Sequence, residues 1–418
     1  MTTTTRRDCE DRDAHDPLAA MRDRFLLPEG IIYLDGNSLG PVPKELPARV
    51  ARMIEQEWGR HLITGWLADG WMEKPLTLGD RVARLIGAEA GEVAVVDTTS
   101  INLFKLLASA LRLRPGRKVI LSNRENFPTD LYMAQGLCDW LDQGHELRLV
   151  EEEAISGSIN GDVAVVMLTQ TNFKTGRVLD MTAVTRAAHA AGALTLWDLA
   201  HSAGAFPVDL NGAAADFAVG CGYKYLNAGP GASAFLFVAR RHQAAAEQPL
   251  TGWLGHAAPF DFDITYRPAV GIRRHVCSSP GVLGLVALEA ALDVFDAVDM
   301  ALLRRKSIAL CDLFIALVEQ RCADHGFKLV TPREAGLSEP LIRGSQVSFA
   351  HPDGYAIVQA LIRRGVIGDF RDPDVMRFGF TPLYLGYRDV FDAVEHLRQV
   401  MESREWDSAE LKVRASVT

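Results

Sequence analysis

The sequence predicts an α/β protein with a mostly parallel sheet between helices, followed by a smaller α+β domain. Three observations predict this architecture. The chain has 418 residues, too many for one simple core, so two domains are expected. Short apolar runs alternate with helical patterns through the middle of the chain, which is typical of a parallel sheet. From about Val282 the pattern changes to long helices and then short strands.

The predicted sheet is built from apolar runs of strand length, separated by turn signals or by helical spacing. These runs are Val119–Leu121, Val163–Thr169, Ala193–Trp197, Phe217–Val219 and Ala232–Val238. The last run follows its predecessor closely, which favours one antiparallel strand in the sheet.

The C-terminal domain is predicted from helical periods at Leu283–Val298, Met300–Arg321, Tyr355–Arg363 and Asp389–Met401, with a short strand at Gln346–Phe349. We therefore place the larger domain at residues 46–295 and the smaller one at residues 296–418. Residues 1–45 form an N-terminal segment that is expected to pack with the smaller domain. Its first part, roughly fifteen residues, is polar and charged and is expected to be a disordered lead-in.

Composition excludes several classes of protein. A net charge of −9 argues against a general nucleic-acid binder. No apolar stretch is long enough to cross a bilayer, and residues 1–24 do not resemble a secretory signal. The six cysteines form no CxxC pair, and none lies near histidines at zinc-ligand spacing, so no metal site is expected. This pattern is typical of a cytoplasmic protein with reduced thiols.

An aspartate follows the predicted strand Ala193–Trp197, in the segment Trp197–Gly204. In open α/β sheets, ligands bind beyond the carboxyl ends of the strands. A carboxylate buried there is costly unless it has a cationic partner. A protonated pyridine nitrogen is such a partner, so Asp198 is a candidate to keep the ring of pyridoxal 5′-phosphate (PLP) charged.

A lysine lies in the glycine-rich turn after the next strand, in Gly220–Tyr225. A lysine that forms a Schiff base must be held near a fixed aldehyde and must be neutral when it attacks. Lys224 follows Asp198 by 26 residues (224 − 198). That spacing fits one strand–helix–strand excursion, which brings two strand ends to the same edge of the sheet.

Two more segments extend this pattern. The hydroxyl cluster in Asp97–Asn102 is either a helix N-cap or a phosphate site, because a helix N-terminus favours both. The segment Asn126–Asp130 precedes a helix that is expected to begin near Leu131. In this segment, Phe127 could stack on a flat cofactor ring or pack as a hydrophobic staple beside a capping residue. Each simpler alternative is reasonable alone, but four such elements in this order, each after a strand, predict a PLP site.

The order of these elements resembles the aspartate-aminotransferase-like fold, which is fold type I of PLP enzymes. Within that fold, the sequence resembles the kynureninase family over about residues 25–400. The segments that carry the resemblance are Leu34–Gly40 (LDGNSLG), Asn126–Asp130 (NFPTD), Trp197–Gly204 (WDLAHSAG) and Gly222–Asn227 (GYKYLN).

The resemblance implies a reaction and an assembly. Water would cleave L-kynurenine to anthranilate and L-alanine, with 3-hydroxykynurenine and 3-hydroxyanthranilate as the second candidate pair. The reaction would serve tryptophan breakdown or NAD synthesis. The enzyme would be a homodimer with its active site at the subunit interface.

The resemblance also implies roles for individual residues. Lys224 would carry the cofactor covalently and shuttle protons, Asp198 would pair with the pyridine nitrogen, and Tyr223 would reach the phosphate and supply a proton. The other implied cofactor contacts are Thr99 and Ser100 at the phosphate, Phe127, Pro128, Thr129 and Asp130 at the ring, His201 beneath it, Trp253 across the dimer interface, and Ser279, where the family has Asn or Thr.

Three residues are implied on the substrate side. Arg377 would hold the substrate α-carboxylate, because a planar guanidinium makes a two-pronged contact; from the residues alone, a surface arginine is the alternative. Trp66, with Trp71, would line the aryl pocket, and core packing is the alternative. Asn37 would lie near the substrate.

Other functions predict different residues. A cysteine desulfurase or selenocysteine lyase of the same fold needs a nucleophilic cysteine on a mobile loop, and Gly368–Tyr384 contains none. An aminotransferase would turn over with a 2-oxo acid and without water. A non-enzymatic binding protein of this fold would lack Lys224 or Asp198, and both are present.

Overall fold

The computed structural model describes residues 4–336 and 340–414. The chain divides into two compact units. The large unit comprises residues 46–172 and 179–293, and the small unit comprises residues up to 45, residues 173–178 and residues from 294 onward.

The strands are short and mostly buried. In chain order they are β1 (Phe25–Leu26), β2 (Ile32–Tyr33), β3 (Val42–Pro43), β4 (Val93–Val95), β5 (Val119–Asn123), β6 (Glu146–Val150), β7 (Val163–Thr169), β8 (Leu194–Asp198), β9 (Phe217–Gly220), β10 (Phe235–Val238), β11 (Lys328–Leu329), β12 (Gln346–Ala350), β13 (Val366–Ile367), β14 (Asp369–Arg371) and β15 (Val375–Gly379).

The α-helices range from single turns to 22 residues. They are α1 (Arg6–Ala14), α2 (Leu46–Arg52), α3 (Gly65–Ala68), α4 (Lys74–Leu85), α5 (Thr99–Leu113), α6 (Pro128–Leu141), α7 (Ile155–Ser158), α8 (Met181–Ala190), α9 (Arg240–Gln243), α10 (Val282–Leu292), α11 (Met300–Arg321), α12 (Gly354–Arg363) and α13 (Tyr387–Ser403).

Other helical turns connect these elements. A π-helix spans Met53–His61, and 3-10 helices span Ala19–Arg24, Leu62–Thr64, Glu152–Ala154, Trp253–Gly255, Pro259–Asp261, Gly271–His275, Phe295–Ala297, Ala323–His325 and Glu405–Asp407. Among the described residues, none of the helices combines the length and apolar character that a bilayer crossing demands.

The large unit contains a seven-stranded sheet in the order β4-β10-β9-β8-β7-β5-β6. Only β10 runs opposite to the other six strands of this sheet, so the predicted mostly parallel sheet with one antiparallel strand is confirmed. Every residue of β7 is buried, as expected for a strand covered on both faces. Apolar side chains of α5 and α6 pack on the sheet in one buried cluster. Because β4 runs in the same direction as β9, the carboxyl ends of six strands meet at one edge.

The small unit contains an antiparallel sheet in the order β11-β12-β15-β14, with α11, α12 and α13 around it. Elements of the N-terminal segment pack with this unit. β2 pairs in parallel with β13, and α1 packs against α13.

The predicted disordered lead-in is wrong for the described residues. α1 begins after Thr5, whose side chain accepts a hydrogen bond from the Asp8 backbone N–H. Cys9 is fully buried, and Arg6 forms an ion pair of 2.8 Å with Asp392 on α13. This helix could not be predicted from apolar periodicity, because its sequence is polar and only one of its side chains is buried. Ion pairs and the N-cap stabilise it instead.

Two helix bounds differ from the prediction. The helix predicted at Leu283–Val298 ends at Leu292 and continues as a short 3-10 turn. The helix expected to begin near Leu131 begins at Pro128 instead, because proline is well suited to the first helical position.

Candidate active site

Lys224 and Asp198 come from neighbouring strands of the large unit. β8 ends at Asp198, and β9 ends at Gly220, four residues before Lys224. The two strands pair in parallel, with Asp198 opposite Val219. The predicted strand–helix–strand excursion is wrong in one respect, because residues 199–216 form turns and contain no helix. The parallel pairing of β8 with β9 still brings both side chains to the carboxyl edge of the sheet.

The Lys224 amine lies among aromatic and imidazole groups. Its Nζ is 3.0 Å from Nε2 of His201 and 5.9 Å from the ring centre of Phe127. The Tyr223 ring lies on another side, 5.8 Å from the same nitrogen. Among the described residues no carboxylate lies within ion-pair distance of Lys224, and the contact with His201 holds its amine in place.

Two carboxyl groups face each other beside this lysine. Asp130 and Asp198 are both buried, and burial raises the pKa of each carboxyl. The Asp198 carboxyl raises the pKa of Asp130 further, while attraction to Lys224 opposes the shift in both. The Asp198 carboxylate accepts a hydrogen bond of 2.8 Å from the Ala200 backbone N–H. Two buried acids beside one lysine leave a deficit of positive charge.

A side-chain network holds the turn before α6. The Asn126 side-chain oxygen accepts hydrogen bonds from the Phe127 backbone N–H at 2.7 Å and from the Thr169 hydroxyl at 2.5 Å. The Asn126 amide donates to the Ser122 hydroxyl at 2.9 Å. Phe127 is the N-cap residue of α6 and is 39% exposed, so it presents its ring beside Lys224 and is not a staple buried under the helix.

The hydroxyl cluster lies at the start of α5. Thr98 is the N-cap residue, and its hydroxyl accepts a hydrogen bond of 3.4 Å from the Ile101 N–H. Thr99 and Ser100 occupy the first turn, where backbone N–H groups have no partner within the helix. The N-cap reading is therefore correct for Thr98. The same turn leaves the N–H groups of Thr99 and Ser100 available to an anion.

The residues of this edge fit PLP by their chemistry. The buried acid pair needs a cation, which a protonated pyridine ring supplies. The Lys224 amine can bond to an aldehyde, and the exposed Phe127 ring offers a flat surface. A helix start suits a phosphate.

Arg377 lies in the small unit, on β15, and is only 2% exposed, so the surface alternative is wrong. Its Nε donates to Asp369 at 2.8 Å, and one terminal nitrogen donates to the second oxygen of the same carboxylate. Ser38 and the Phe173 carbonyl accept further hydrogen bonds, each at 2.8 Å. The guanidinium is thus fixed in one orientation by four contacts.

A second acid faces this arginine. Burial raises the pKa of Asp35 to about 7, and the neighbouring Asp369 carboxylate adds to the shift. Arg371 forms an ion pair of 2.7 Å with Asp369. The small unit therefore holds two arginines and two acids in one cluster.

Three tryptophans of the large unit were singled out in the sequence, and each makes contacts of its own. Trp71 is buried and donates to Glu57 at 3.1 Å, so its core alternative is correct. Trp66 packs edge-on against it, with ring centres 5.9 Å apart. Trp253 is partly exposed, and its indole N–H donates to the Pro259 carbonyl at 2.6 Å.

The remaining predicted residues differ in exposure. Asn37, in the small unit, is fully buried, and neither its amide nitrogen nor its oxygen has a partner among the described residues. Ser279 and Pro128 are exposed, and Thr129 is half-buried in the first turn of α6. The described residues contain no group of three or more His, Cys, Asp or Glu side chains placed to hold a metal ion.

Family models match most of the chain. The model described as the Kynureninase C-terminal domain matches residues 303–397, and the Aminotransferase class-V model matches residues 71–336. A kynureninase from Pseudomonas fluorescens is 54% identical over 99% of this chain and 100% of its own length. One from Burkholderia pseudomallei (strain K96243) is also 54% identical, with the same coverage.

The chain belongs to the kynureninase family. It is therefore a hydrolase that depends on PLP, as the site residues suggested.

The predicted fold type I is confirmed by solved structures. A cysteine desulfurase from Thermococcus onnurineus NA1 has a TM-score of 0.76 and 18% identity, covering 92% of this chain and 98% of its own. One from Escherichia coli has a TM-score of 0.73 and 19% identity, with the same coverage.

Three residues that contact the Lys224 and Arg377 clusters were not predicted from the sequence of this kynureninase-family chain. Thr169 ends β7 at the same edge as Asp198, and its hydroxyl lies 3.4 Å from the Asp130 carboxylate. The strand-end rule that selected Asp198 applies equally to Thr169, so this residue could have been found. Asn126 was part of a matching segment but received no role. Asp369 gave no signal, because nothing in the sequence pairs it with Arg377.

Proposed function

We propose that this enzyme hydrolyses L-kynurenine to anthranilate and L-alanine, with 3-hydroxykynurenine as a second substrate. The bond between the β- and γ-carbons breaks. Water supplies the hydroxyl that turns the ketone carbon into the carboxyl of anthranilate, and a proton completes the methyl group of alanine. The proposal extends to a role in tryptophan breakdown or NAD synthesis.

One observation carries the proposal. The Lys224 amine lies between His201, Phe127 and the Asp130–Asp198 acid pair, in a chain 54% identical to kynureninases over nearly its whole length. The Lys224 amine can bond to an aldehyde, the acid pair can bind a cationic ring, and the Phe127 ring can stack on it. All three lie at one edge of the sheet, as a cofactor with an aldehyde and a cationic ring requires.

Large-unit residues would hold the cofactor. When bound, PLP supplies an electron-accepting ring for the bond changes at the substrate. Lys224 would bind its aldehyde carbon and Asp198 would hold a proton on its pyridine nitrogen. The remaining contacts would be Thr99 and Ser100 at the phosphate, and Phe127, Pro128, Thr129, Asp130, Thr169, His201 and Ser279 around the ring.

Two side chains would move protons. Lys224 Nζ would take the proton from the substrate α-carbon and return one, and His201 at 3.0 Å would keep that amine in position. Tyr223 would supply the proton to the leaving fragment. Burial raises the pKa of the Tyr223 hydroxyl, so this group stays protonated at neutral pH and is able to donate.

The family resemblance implies three residues on the substrate side. Arg377 would bind the α-carboxylate, since its orientation is fixed by Asp369. Trp66 would contact the aryl ring, and Asn37 would lie near the substrate. We also propose that the two compact units correspond to the large and small domains expected from the sequence.

We propose further that the enzyme is a cytoplasmic homodimer. The large-unit loop after Trp253 carries exposed apolar side chains, Phe260, Phe262 and Ile264, and Val270 follows them. Exposed apolar groups of this density are typical of surfaces covered by another chain. In a dimer, Trp253 would exchange its bond to the Pro259 carbonyl for a contact with the cofactor phosphate.

The desulfurase alternative lacks a nucleophile. Five of the six cysteines are buried, and the sixth, Cys277, is partly buried. Burial raises the pKa of the Cys277 thiol, which keeps it protonated at neutral pH. The solved desulfurases are similar in fold alone, at 18% and 19% identity.

The deciding experiment incubates purified protein with PLP and L-kynurenine while anthranilate fluorescence is followed and alanine is assayed. Equal amounts of both products are expected. A protein that binds PLP through Lys224 but forms neither product would contradict the proposed reaction, and release of sulfide from cysteine would support the alternative.

A further inference from the structure

Lys105 is a buried cation that the proposed chemistry does not use. It lies in the second turn of α5 and has no exposed surface. Its ammonium group forms an ion pair with Asp97 and donates to the His275 carbonyl at 2.7 Å. A buried charge of this kind is costly and persists where its partners compensate it.

The Lys105 contacts join two segments of the large unit. Asp97 lies in the turn before α5, where its backbone adopts φ +47°, an unusual value for a residue other than glycine. His275 ends the 3-10 helix Gly271–His275, four residues before Ser279. Both segments carry residues that the proposed function assigns to the cofactor, Thr99 and Ser100 on one side and Ser279 on the other.

Among the described residues, Asp97 is the one carboxylate that forms an ion pair with Lys105. Burial lowers the pKa of His275 to about 3, with Lys105 adding to the effect, so this imidazole is neutral at neutral pH. The Cys277 thiol also faces Lys105, and burial raises its pKa, so it stays neutral as well. A carboxylate one residue before the N-cap would repel a phosphate at the start of α5. Lys105 removes that repulsion.

We propose that Lys105 is a positioning residue for the cofactor phosphate, because it neutralises Asp97 and ties the turn before α5 to the segment ending at His275. This inference rests on the proposed placement of the phosphate at Thr99 and Ser100. It predicts an effect on phosphate recognition that is separate from Schiff-base formation at Lys224.

The test compares PLP with pyridoxal, which lacks the phosphate. The apo-protein is titrated with each compound and the dissociation constant is measured from cofactor absorbance. Lys105→Met should raise the Kd of PLP on the order of tenfold and leave the Kd of pyridoxal unchanged. The double variant Lys105→Met with Asp97→Asn should recover most of the PLP affinity, since the repelling carboxylate is gone. Lys118→Met, at the opposite edge of the sheet, is the matched control and should bind both compounds normally.

Equal loss of PLP and pyridoxal affinity in Lys105→Met would indicate a merely structural lysine and overturn the inference. So would unchanged PLP affinity, or no recovery in the double variant. Asp97→Asn alone keeps the inference testable if Lys105→Met does not fold: its PLP affinity should equal or exceed wild type, and a tenfold loss would overturn it.

A separate variant tests the underlying placement. Thr99→Ala with Ser100→Ala should weaken PLP but not pyridoxal. If it weakens neither, the proposed phosphate site is wrong, whatever Lys105 does. If it weakens PLP while Lys105→Met does not, only the Lys105 inference fails.

Discussion

The two units each bury a charged cluster, and the clusters are balanced differently. In the large unit, Asp130 and Asp198 share one lysine, Lys224, which forms no ion pair among the described residues. In the small unit, Arg377 and Arg371 face Asp369 and Asp35, and Arg377 is fixed by four contacts.

The large-unit cluster is suited to bind a cationic ligand, whereas the charges of the small-unit cluster already pair with one another. Burial raises the pKa of both acids in the large unit, and attraction to Lys224 offsets only part of that shift. A ligand that brings positive charge lowers this cost. The small-unit cluster needs no ligand for its neutrality and can present a rigid guanidinium to an anion.

The largest effect should come from removing the cation of the large-unit cluster. Lys224→Ala should lower turnover by roughly 10³-fold or more, because both the covalent link and the proton carrier are lost. The visible absorbance of the lysine-bound cofactor should disappear at the same time. Lys118→Ala serves as the control, and wild-type turnover in Lys224→Ala would refute the assignment.

The next effect sharpens the comparison within the acid pair. Asp198→Asn removes the carboxylate expected to keep the pyridine nitrogen protonated and should lower kcat on the order of 10²-fold, with PLP still bound. Steady-state kinetics and cofactor absorbance measure both quantities. Asp139→Asn, elsewhere on the large unit, should leave kcat unchanged. A normal kcat in Asp198→Asn would mean that another group keeps the pyridine nitrogen of the cofactor protonated.

Breaking the small-unit cluster should change substrate binding instead. Arg377→Ala should raise KM on the order of 10²-fold and leave PLP affinity unchanged, because a charged hydrogen-bonded anchor is lost. Asp369→Asn should raise KM less, by about tenfold, since the guanidinium remains but loses its fixed orientation. Asp372→Asn, at the exposed residue directly after β14, is the matched control. A fall in kcat with constant KM would place the carboxylate site elsewhere.

The smallest effect concerns stability against pH. The pKa of Asp35 is raised to about 7 in the folded chain, so folding favours its protonated form. Stability from this group is present below about pH 4 and is lost as the pH rises to about 7. Urea unfolding should show wild type losing roughly 3 kcal/mol relative to Asp35→Asn across that window. Parallel pH curves for the two proteins would mean that Asp35 titrates normally.

Much of the fold was predictable because its signals are local. Fully buried strands such as Val163–Thr169 have continuous apolar runs, and the helix Met300–Arg321 has a clear period. β4 was missed because it has three residues, and β6 because its sequence Glu146–Val150 mixes charged and apolar side chains on a half-buried edge. Edge strands such as β6 are less buried than central strands, so their sequences show less regular apolar patterns and are harder to predict as strands.

The site was predictable where a single rule links sequence to position. The strand-end rule selected Asp198 and Lys224 without any knowledge of distance. The acid pair was not foreseeable from spacing, because Asp130 lies 68 residues (198 − 130) before its partner. The Asp369–Arg377 pair depends on the register of β14 against β15, where the two residues are directly opposite. A three-residue strand gives no sequence signal from which that register can be read.

The composition of the small unit has a consequence for synthesis. Its first part, up to residue 45, leaves the ribosome before the large unit, while its remaining partners lie from residue 294 onward. β2 therefore cannot pair until β13 has been synthesised, and α1 cannot pack until α13 has been synthesised. The large unit is nearly contiguous and can fold early, but the small unit must close a loop of more than two hundred residues. During that interval β2 of the nascent N-terminal segment has no partner strand, and Cys9 is not yet covered by α13.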